Sequence, residues 1–293
     1  MCDLDMSRTI LVTGSRGVIG SKLCKRLIAE GYEVLGTRRE GQEPQTKQKE
    51  FVIKPWKEIN LGHIVPDCII HLAGSYSTKM DNSSIRNTLD SNVGLATSLA
   101  TLVQNFQIPI IAAGTFMEKY SGPEGISYYA ASKISSKDVL LQATTLGGSS
   151  FHYVYLYDTY SLDTRRNKFV DLLWNHKPGD QPLLASAGSQ VQDLVYLDDV
   201  VKSLSRLLNN VNSHKGDFQE WQIRTNRALS LRQIASKIEN CRKIELNILW
   251  GSLPYRFRES FSLWDCARNI QILEPLLTFE QGLDLMLSES TLE

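Results

Sequence analysis

A strand that runs into three glycines at three-residue spacing leaves a chain few folds to choose from. Thr9-Ile10-Leu11-Val12-Thr13 is an apolar run, Gly14-Ser15-Arg16-Gly17-Val18-Ile19-Gly20 follows, and Ile19, Leu23 and Leu27 then recur at four-residue spacing. Strand, glycine loop and helix in that order form a phosphate cradle. Gly14 permits the tight turn, Gly17 lets the backbone approach a pyrophosphate, and Gly20 allows the helix to pack closely on the strand. The helix N-terminus then faces the negative charge. The pattern assigns Gly14, Ser15, Arg16, Gly17, Val18, Ile19 and Gly20 to dinucleotide binding.

The first half keeps the rhythm of a parallel sheet with crossover helices. Tyr32–Gly36, Phe51–Ile53, Asp67–Ala73, Ile108–Ala113 and Phe151–Leu156 read as strands. A long helix is expected across roughly Ser83 to Asn105, and another carries Tyr129. Alternation of this kind predicts an α/β fold, a doubly wound parallel sheet. After Tyr160 the rhythm stops. Residues 161–190 hold charges, Pro178 and Pro182, as an excursion from the sheet would, and Val195-Tyr196-Leu197 before Asp198-Asp199 reads as a return. The expected organisation is a dinucleotide-binding domain over 1–160, rejoined by 191–215. A smaller C-terminal substrate-binding lobe takes 161–190 and 216–293.

Where the second strand ends, an acidic residue would hold the adenosine ribose hydroxyls; this chain has Thr37-Arg38-Arg39. Guanidinium groups there welcome a 2′-phosphate, so Arg38 and Arg39, with Arg16 as a second source of charge, point to NADP (NADPH). Two arginines at a strand end are also compatible with plain solvation. Farther on, Tyr129 and Lys133 are four residues apart and share a helix face. An ammonium beside a phenol is expected to depress the phenol's pKa and make it a usable acid or base.

Composition removes other classes. Lys plus Arg (32) equals Asp plus Glu (32), which gives no broad attraction to nucleic acid or membrane. The N-terminus has no apolar run of the kind a signal peptide needs, and no segment is long enough to span a bilayer. Cys2, Cys24, Cys68, Cys241 and Cys266 lack paired spacing and the five histidines are dispersed. No metal site is expected, and reduced thiols suit a cytoplasmic protein.

Taken in order, these residues resemble the extended short-chain dehydrogenase/reductases, the NAD-dependent epimerase/dehydratase family. The loop matches that family's Thr-Gly-x-x-Gly-x-x-Gly. His71-Leu72-Ala73-Gly74 matches the strand end along the cofactor, Asn92 a helix asparagine, Thr115 the catalytic Ser/Thr, and Tyr129 with Lys133 the Tyr-x-x-x-Lys pair. Gln192–Asp199 looks like the Arg-Asp-Phe-Val-His-Val-Asp-Asp segment of sugar-nucleotide members. Gly114–Tyr120, Tyr157–Tyr160 and Pro254-Tyr255-Arg256 are similar to the CDP-abequose and CDP-paratose synthase group.

The resemblance implies NADPH-dependent reduction of the C4 ketone of a nucleotide-linked deoxysugar, CDP-linked by preference, in deoxysugar and O-antigen biosynthesis. Thr115, Tyr129 and Lys133 would be catalytic. Leu72, Ala73, Gly74, Asn92, Leu156 and Tyr157 would line the cofactor. Tyr76, Phe116, Met117, Asp158, Arg165, Gln192 and Arg256 would face the nucleotide diphosphate sugar. Related dehydratases carry an Asp-Glu pair just after the threonine; Phe116 and Met117 stand there instead and cannot move protons. Gln192 replaces an arginine frequent in the family, so the substrate diphosphate must lean on other cations. Asp158 would repel a diphosphate, which leaves it sugar hydroxyls or a structural role. A homodimer through the Asn92 and Tyr129 helices is also implied. The alternatives are a 4-epimerase with tightly bound NAD and a non-catalytic dinucleotide-sensing protein.

Overall fold

The computed structural model describes residues 8–45, 49–120, 122, 125–163, 167–211, 216–262, 270–273 and 276–290. Its first half is built by the predicted alternation. The elements are β1 (Thr9–Thr13), α1 (Val18–Ala29), β2 (Glu33–Arg38), β3 (Lys49–Val52), β4 (Cys68–His71), α2 (Asn82–Leu89), α3 (Leu95–Phe106), β5 (Ile110–Thr115), α4 (Tyr128–Gly147) and β6 (Phe151–Leu156). A π-helical turn, Asp90–Gly94, joins α2 to α3, and a 3₁₀ turn, Phe116–Lys119, follows β5. The long helix expected over 83–105 is therefore interrupted.

Adding β11 (Phe218–Ile223) and β14 (Gln271–Ile272) gives an eight-stranded sheet ordered β14-β11-β6-β5-β4-β1-β2-β3. The pairs β2–β3, β1–β2, β1–β4 and β4–β5 are parallel. Its centre is apolar on both faces: Ile10, Leu11, Val12, Ile69, Ile70, Ile110 and Ile111 are fully buried. Strand order reverses at β1, between β2 and β4, so ligands are expected outside the carboxyl ends of these strands. The glycine loop and His71 lie at that end.

The chain divides into two compact units. The first is residues 1–118, 126–155 and 201–221; the second is 119–125, 156–200 and 222–293. The division therefore falls at 155/156 rather than after 160, and the return begins at Val201 rather than at 191. The start of β11 also belongs to the first unit, because Phe218 to Trp221 extend the sheet beside β6. Within the second unit, β7 (Asp158–Tyr160) pairs with β10 (Leu194–Tyr196), β8 (Leu183–Ala185) with β13 (Ile248–Trp250), and β9 (Val191–Gln192) with β12 (Leu229–Ser230). Tyr160, Leu173, Tyr196, Ile234, Ile238, Leu283 and Met286 form its own core. They come from these strands and from α5 (Phe169–Asn175), α7 (Leu231–Arg242) and α8 (Phe279–Ser290).

Candidate active site

The cradle is shaped by what cannot be there. Gly14 has φ +72°, and a Cβ on it would lie 2.8 Å from the Ala73 backbone nitrogen; a Cβ on Gly20 would fall onto the Gly14 carbonyl oxygen. The turn closes through Gly17 N–H to Gly14 O at 2.9 Å, and no side chain caps α1. The residues thus fit a dinucleotide pyrophosphate: a bare backbone approach and an uncapped helix N-terminus. Thr37, which the sequence did not single out, ties the loop to β2. Its backbone exchanges two bonds with the buried Ser15 hydroxyl (3.0 and 3.1 Å), and its own hydroxyl accepts from Gly14 N–H at 3.3 Å.

The cations beside the cradle are not equivalent. Arg16 is held bidentately by Glu50 on β3, through Nε at 2.8 Å and Nη2 at 2.5 Å, and Arg16 holds the Glu50 carboxyl below its ordinary range. It is not the free second cation that the sequence suggested, because parallel pairing of β2 with β3 brings an acid against it. Arg38 donates to Gln42 O at 2.7 Å while its buried Nε has no hydrogen-bond partner. The Arg39 side chain is exposed.

Behind the loop, His71 is buried with Nδ1 2.7 Å from Thr13 Oγ1, which also accepts from Ala73 N–H at 3.2 Å. Burial first, then the Lys133 charge, pushes the imidazole down to about 3, so it is neutral at physiological pH. Leu72 and Gly74 flank Ala73 at the same strand end. Asn92 sits in the π turn, as such turns at functional sites commonly do. Its amide donates to Ser75 O (3.1 Å) and Ser132 Oγ (2.8 Å) and accepts from Ser75 N–H (2.8 Å). That clamp joins the segment after β4 to α4, one residue before Lys133.

Ser127 caps α4 by accepting from Ala130 N–H at 3.1 Å, so Tyr129 stands in the first turn and Lys133 is buried one turn on. The Tyr129 hydroxyl is hydrogen-bonded to Thr115, and Tyr76 meets its ring edge-to-face at 5.0 Å. The structure corrects one expectation here. The phenol is not depressed: burial raises it, the Glu118 charge and Tyr76 add to the rise, and only the Thr115 bond opposes. Lys133 is itself buried, which pulls it down to about 8 against the Glu118 charge. Glu118, one 3₁₀ turn beyond Thr115, is the site residue that the sequence reading missed. Its oxygen Oε1 accepts from Thr115 N–H and from Tyr153 OH, both at 2.8 Å.

Phe116 and Met117 are partly buried in that 3₁₀ turn. The remaining predicted positions lie in the second unit. Leu156 ends β6, and Tyr157 is buried under Arg224, whose guanidinium stacks 5.1 Å from its ring. Asp158 is bound to Lys168 Nζ at 3.1 Å, which gives this acid a cation of its own and with it a structural partner. Gln192 lies on β9, and Arg256 is exposed, with its N–H 3.4 Å from Glu259. Arg165 and Arg166 lie outside the described residues. Next to Gln192, buried Asp193 accepts from Thr225 N–H, Thr225 Oγ1 and Asn226 N–H at 2.6–2.9 Å, so it braces this unit's backbone. No group of three or more metal-ligating side chains occurs among the described residues, and no helix there is long and apolar enough to cross a membrane.

A glycine cradle at the switch point of a doubly wound sheet, with Thr, Tyr and Lys converging beside it, defines a dinucleotide-dependent enzyme class. Residues 10–219 match the model of the NAD dependent epimerase/dehydratase family, and the chain belongs to that family. It is 22% identical to the CDP-abequose synthase of Salmonella muenchen, over 97% of this chain and 99% of that one. Among solved structures, the UDP-glucose 4-epimerase of Thermotoga maritima, with UDP-glucose, aligns at a TM-score of 0.77 and 20% identity, covering 97% of this chain and all of that one. The UDP-glucuronic acid 4-epimerase of Bacillus cereus, in complex with UDP-glucuronic acid and NAD, aligns at 0.76 and 18%, with the same coverage.

Proposed function

We propose that this protein reduces the C4 ketone of a nucleotide-linked 4-keto deoxysugar with NADPH, the CDP-linked sugar being favoured. The observation that carries the reading is the Thr115–Tyr129 hydroxyl contact beside buried Lys133, followed by Phe116 and Met117. The pair can deliver one proton to a developing alkoxide, and the two apolar side chains leave no acid–base pair for dehydration. A nicotinamide held along Leu72, Ala73, Gly74 and Asn92 supplies hydride when bound. Tyr129 gives its proton to the sugar oxygen, and Thr115 fixes that oxygen by a hydrogen bond. Lys133 holds positive charge beside both. Arg38, with its unpartnered Nε, and exposed Arg39 support NADPH, whereas the Arg16–Glu50 pair adds no free charge.

The CDP-abequose synthase relatives support the CDP-linked ketone. A second reading, 4-epimerisation with retained NAD, is favoured by the structural neighbours that are 4-epimerases. NADPH absorbance, followed with CDP-, dTDP-, GDP- and UDP-linked 4-keto-6-deoxy and 4-keto-3,6-dideoxy sugars, separates the two. Stoichiometric oxidation is expected with one of them. No consumption with any, together with purified protein that carries NAD and interconverts C4 epimers, overturns the reductase.

A further inference from the structure

Glu118 is a carboxylate with no place in the chemistry above, and the fold has made room for it. Gly114 is the residue that allows this, since a Cβ there would fall on the Tyr153 ring, and the Tyr153 hydroxyl is what reaches Glu118 Oε1. The same hydroxyl lies 3.3 Å from the Lys133 carbonyl. The other carboxylate oxygen, Oε2, is buried and has no hydrogen-bond partner. A carboxylate oxygen buried without a partner is costly to keep and calls for an explanation.

We propose that Glu118 is a positioning residue for the Tyr129–Lys133 pair: its carboxylate anchors the strand end that carries Thr115 and holds the pair as a neutral phenol beside an ammonium, the charge state of a proton donor. The groups facing it are Tyr129, Lys133 and Lys137 from α4 and Tyr153 from β6. Beyond them, Tyr76 stands against Tyr129, His71 feels Lys133, and Lys137 is bound to Tyr155 and Glu220. Negative charge at Glu118 disfavours a second negative charge on Tyr129 and favours the positive one on Lys133, so both effects point the same way. The direction is that of reduction, since the reverse reaction needs the phenolate. The inference rests on the reductase reading for its direction but not for the electrostatic coupling, which is measurable without substrate.

Glu118→Gln keeps the shape and can still accept from Thr115 N–H and Tyr153 OH, and it removes the charge. In the pH profile of kcat/KM for ketone reduction, its alkaline limb is expected about one pH unit or more below the parent's. Glu118→Asp, which keeps the charge, should return the limb toward the parent. In addition, spectrophotometric titration of the 11 tyrosines without substrate should show one phenol ionising at lower pH in Glu118→Gln, and the change should vanish in Glu118→Gln/Tyr129→Phe. An unmoved alkaline limb in Glu118→Gln, or an unmoved Tyr129 titration, overturns the proposal. A moved Tyr129 titration in a protein that reduces no nucleotide-linked ketone upholds the coupling and defeats the reductase reading instead.

Discussion

Tyr129 bears the proton transfer in this reading, and replacing it separates chemistry from binding. Tyr129→Phe keeps the ring that packs on Tyr76 and loses the hydroxyl bonded to Thr115. Steady-state kinetics should show kcat lowered ~10²–10⁴-fold with KM little changed, the pattern of an interaction made in the transition state. Near-normal turnover would remove Tyr129 from the mechanism. Glu118 allows a stability prediction whose sign is fixed. Burial raises its carboxyl above the unfolded value, so the folded state holds that proton more tightly. The associated stability is fully present below the unfolded carboxyl pKa and is lost as pH rises through the folded one. Glu118→Gln should therefore melt higher than the parent at neutral pH, by about 1.4 kcal/mol for each tenfold by which folding tightens the carboxyl's hold on its proton. The gap should close in acid. Equal melting temperatures at neutral pH would show that the charge is not strained. Thr115, Tyr129 and Lys133 were legible because their order and spacing are a local pattern. Glu118 was not, because its burial depends on Tyr153, thirty-five residues downstream. The raised phenol escapes the sequence for a related reason: spacing puts Lys133 beside Tyr129 but does not show that both are buried with an acid.

Among the elements, the glycine loop was readable in full and the helices less so. β1 and β6 fall where the apolar runs begin and end, since central strands of a covered parallel sheet are apolar throughout. The expected helix over 83–105 instead breaks into α2, a π turn and α3, because apolar periodicity cannot register one inserted residue. That insertion turns Asn92 toward Ser75 and Ser132, so the irregularity is where the site is braced. In the loop, a methyl on Gly20 has backbone, not a yielding side chain, in its way. Gly20→Ala should destabilise by about 1–3 kcal/mol in thermal unfolding, as overpacking generally does. Titration with NADPH should show weaker binding as well, because the displaced atom is the Gly14 carbonyl that closes the turn. Unchanged stability and affinity would mean that α1 can move off β1 freely.

The whole molecule does not follow the order of its sequence, and this limits what can be cut from it. The first unit needs residues 201–221, which overlap the return expected over 191–215, although the strand–helix rhythm itself stops after 160. From that returning segment come the buried Leu204, Leu207, Leu208 and Val211, and the first four residues of β11, which neighbours β6 in the sheet. It also supplies acceptors that the earlier residues use: Ser150 Oγ donates to Val211 O at 2.8 Å, and Phe151 N–H to Asp217 O at 2.9 Å. Removing it would leave β6 as an open apolar edge, with Phe151, Tyr153, Val154 and Tyr155 uncovered or half covered. Such an edge favours association between chains. A chain ending at Tyr160 therefore should not give a folded dinucleotide-binding unit, even though it holds the glycine loop, Thr115, Tyr129 and Lys133. Sedimentation and limited proteolysis are expected to find it aggregated or rapidly digested, and NADPH should not protect it. A chain in which residues 157–196 are replaced by a short flexible linker, and which ends after Trp221, restores the missing helix (Leu197–Leu207) and strand. That chain should be monodisperse and regain NADPH binding. Should the chain ending at Tyr160 fold and bind alone, the returning segment would be an accessory to the cradle rather than part of what holds it.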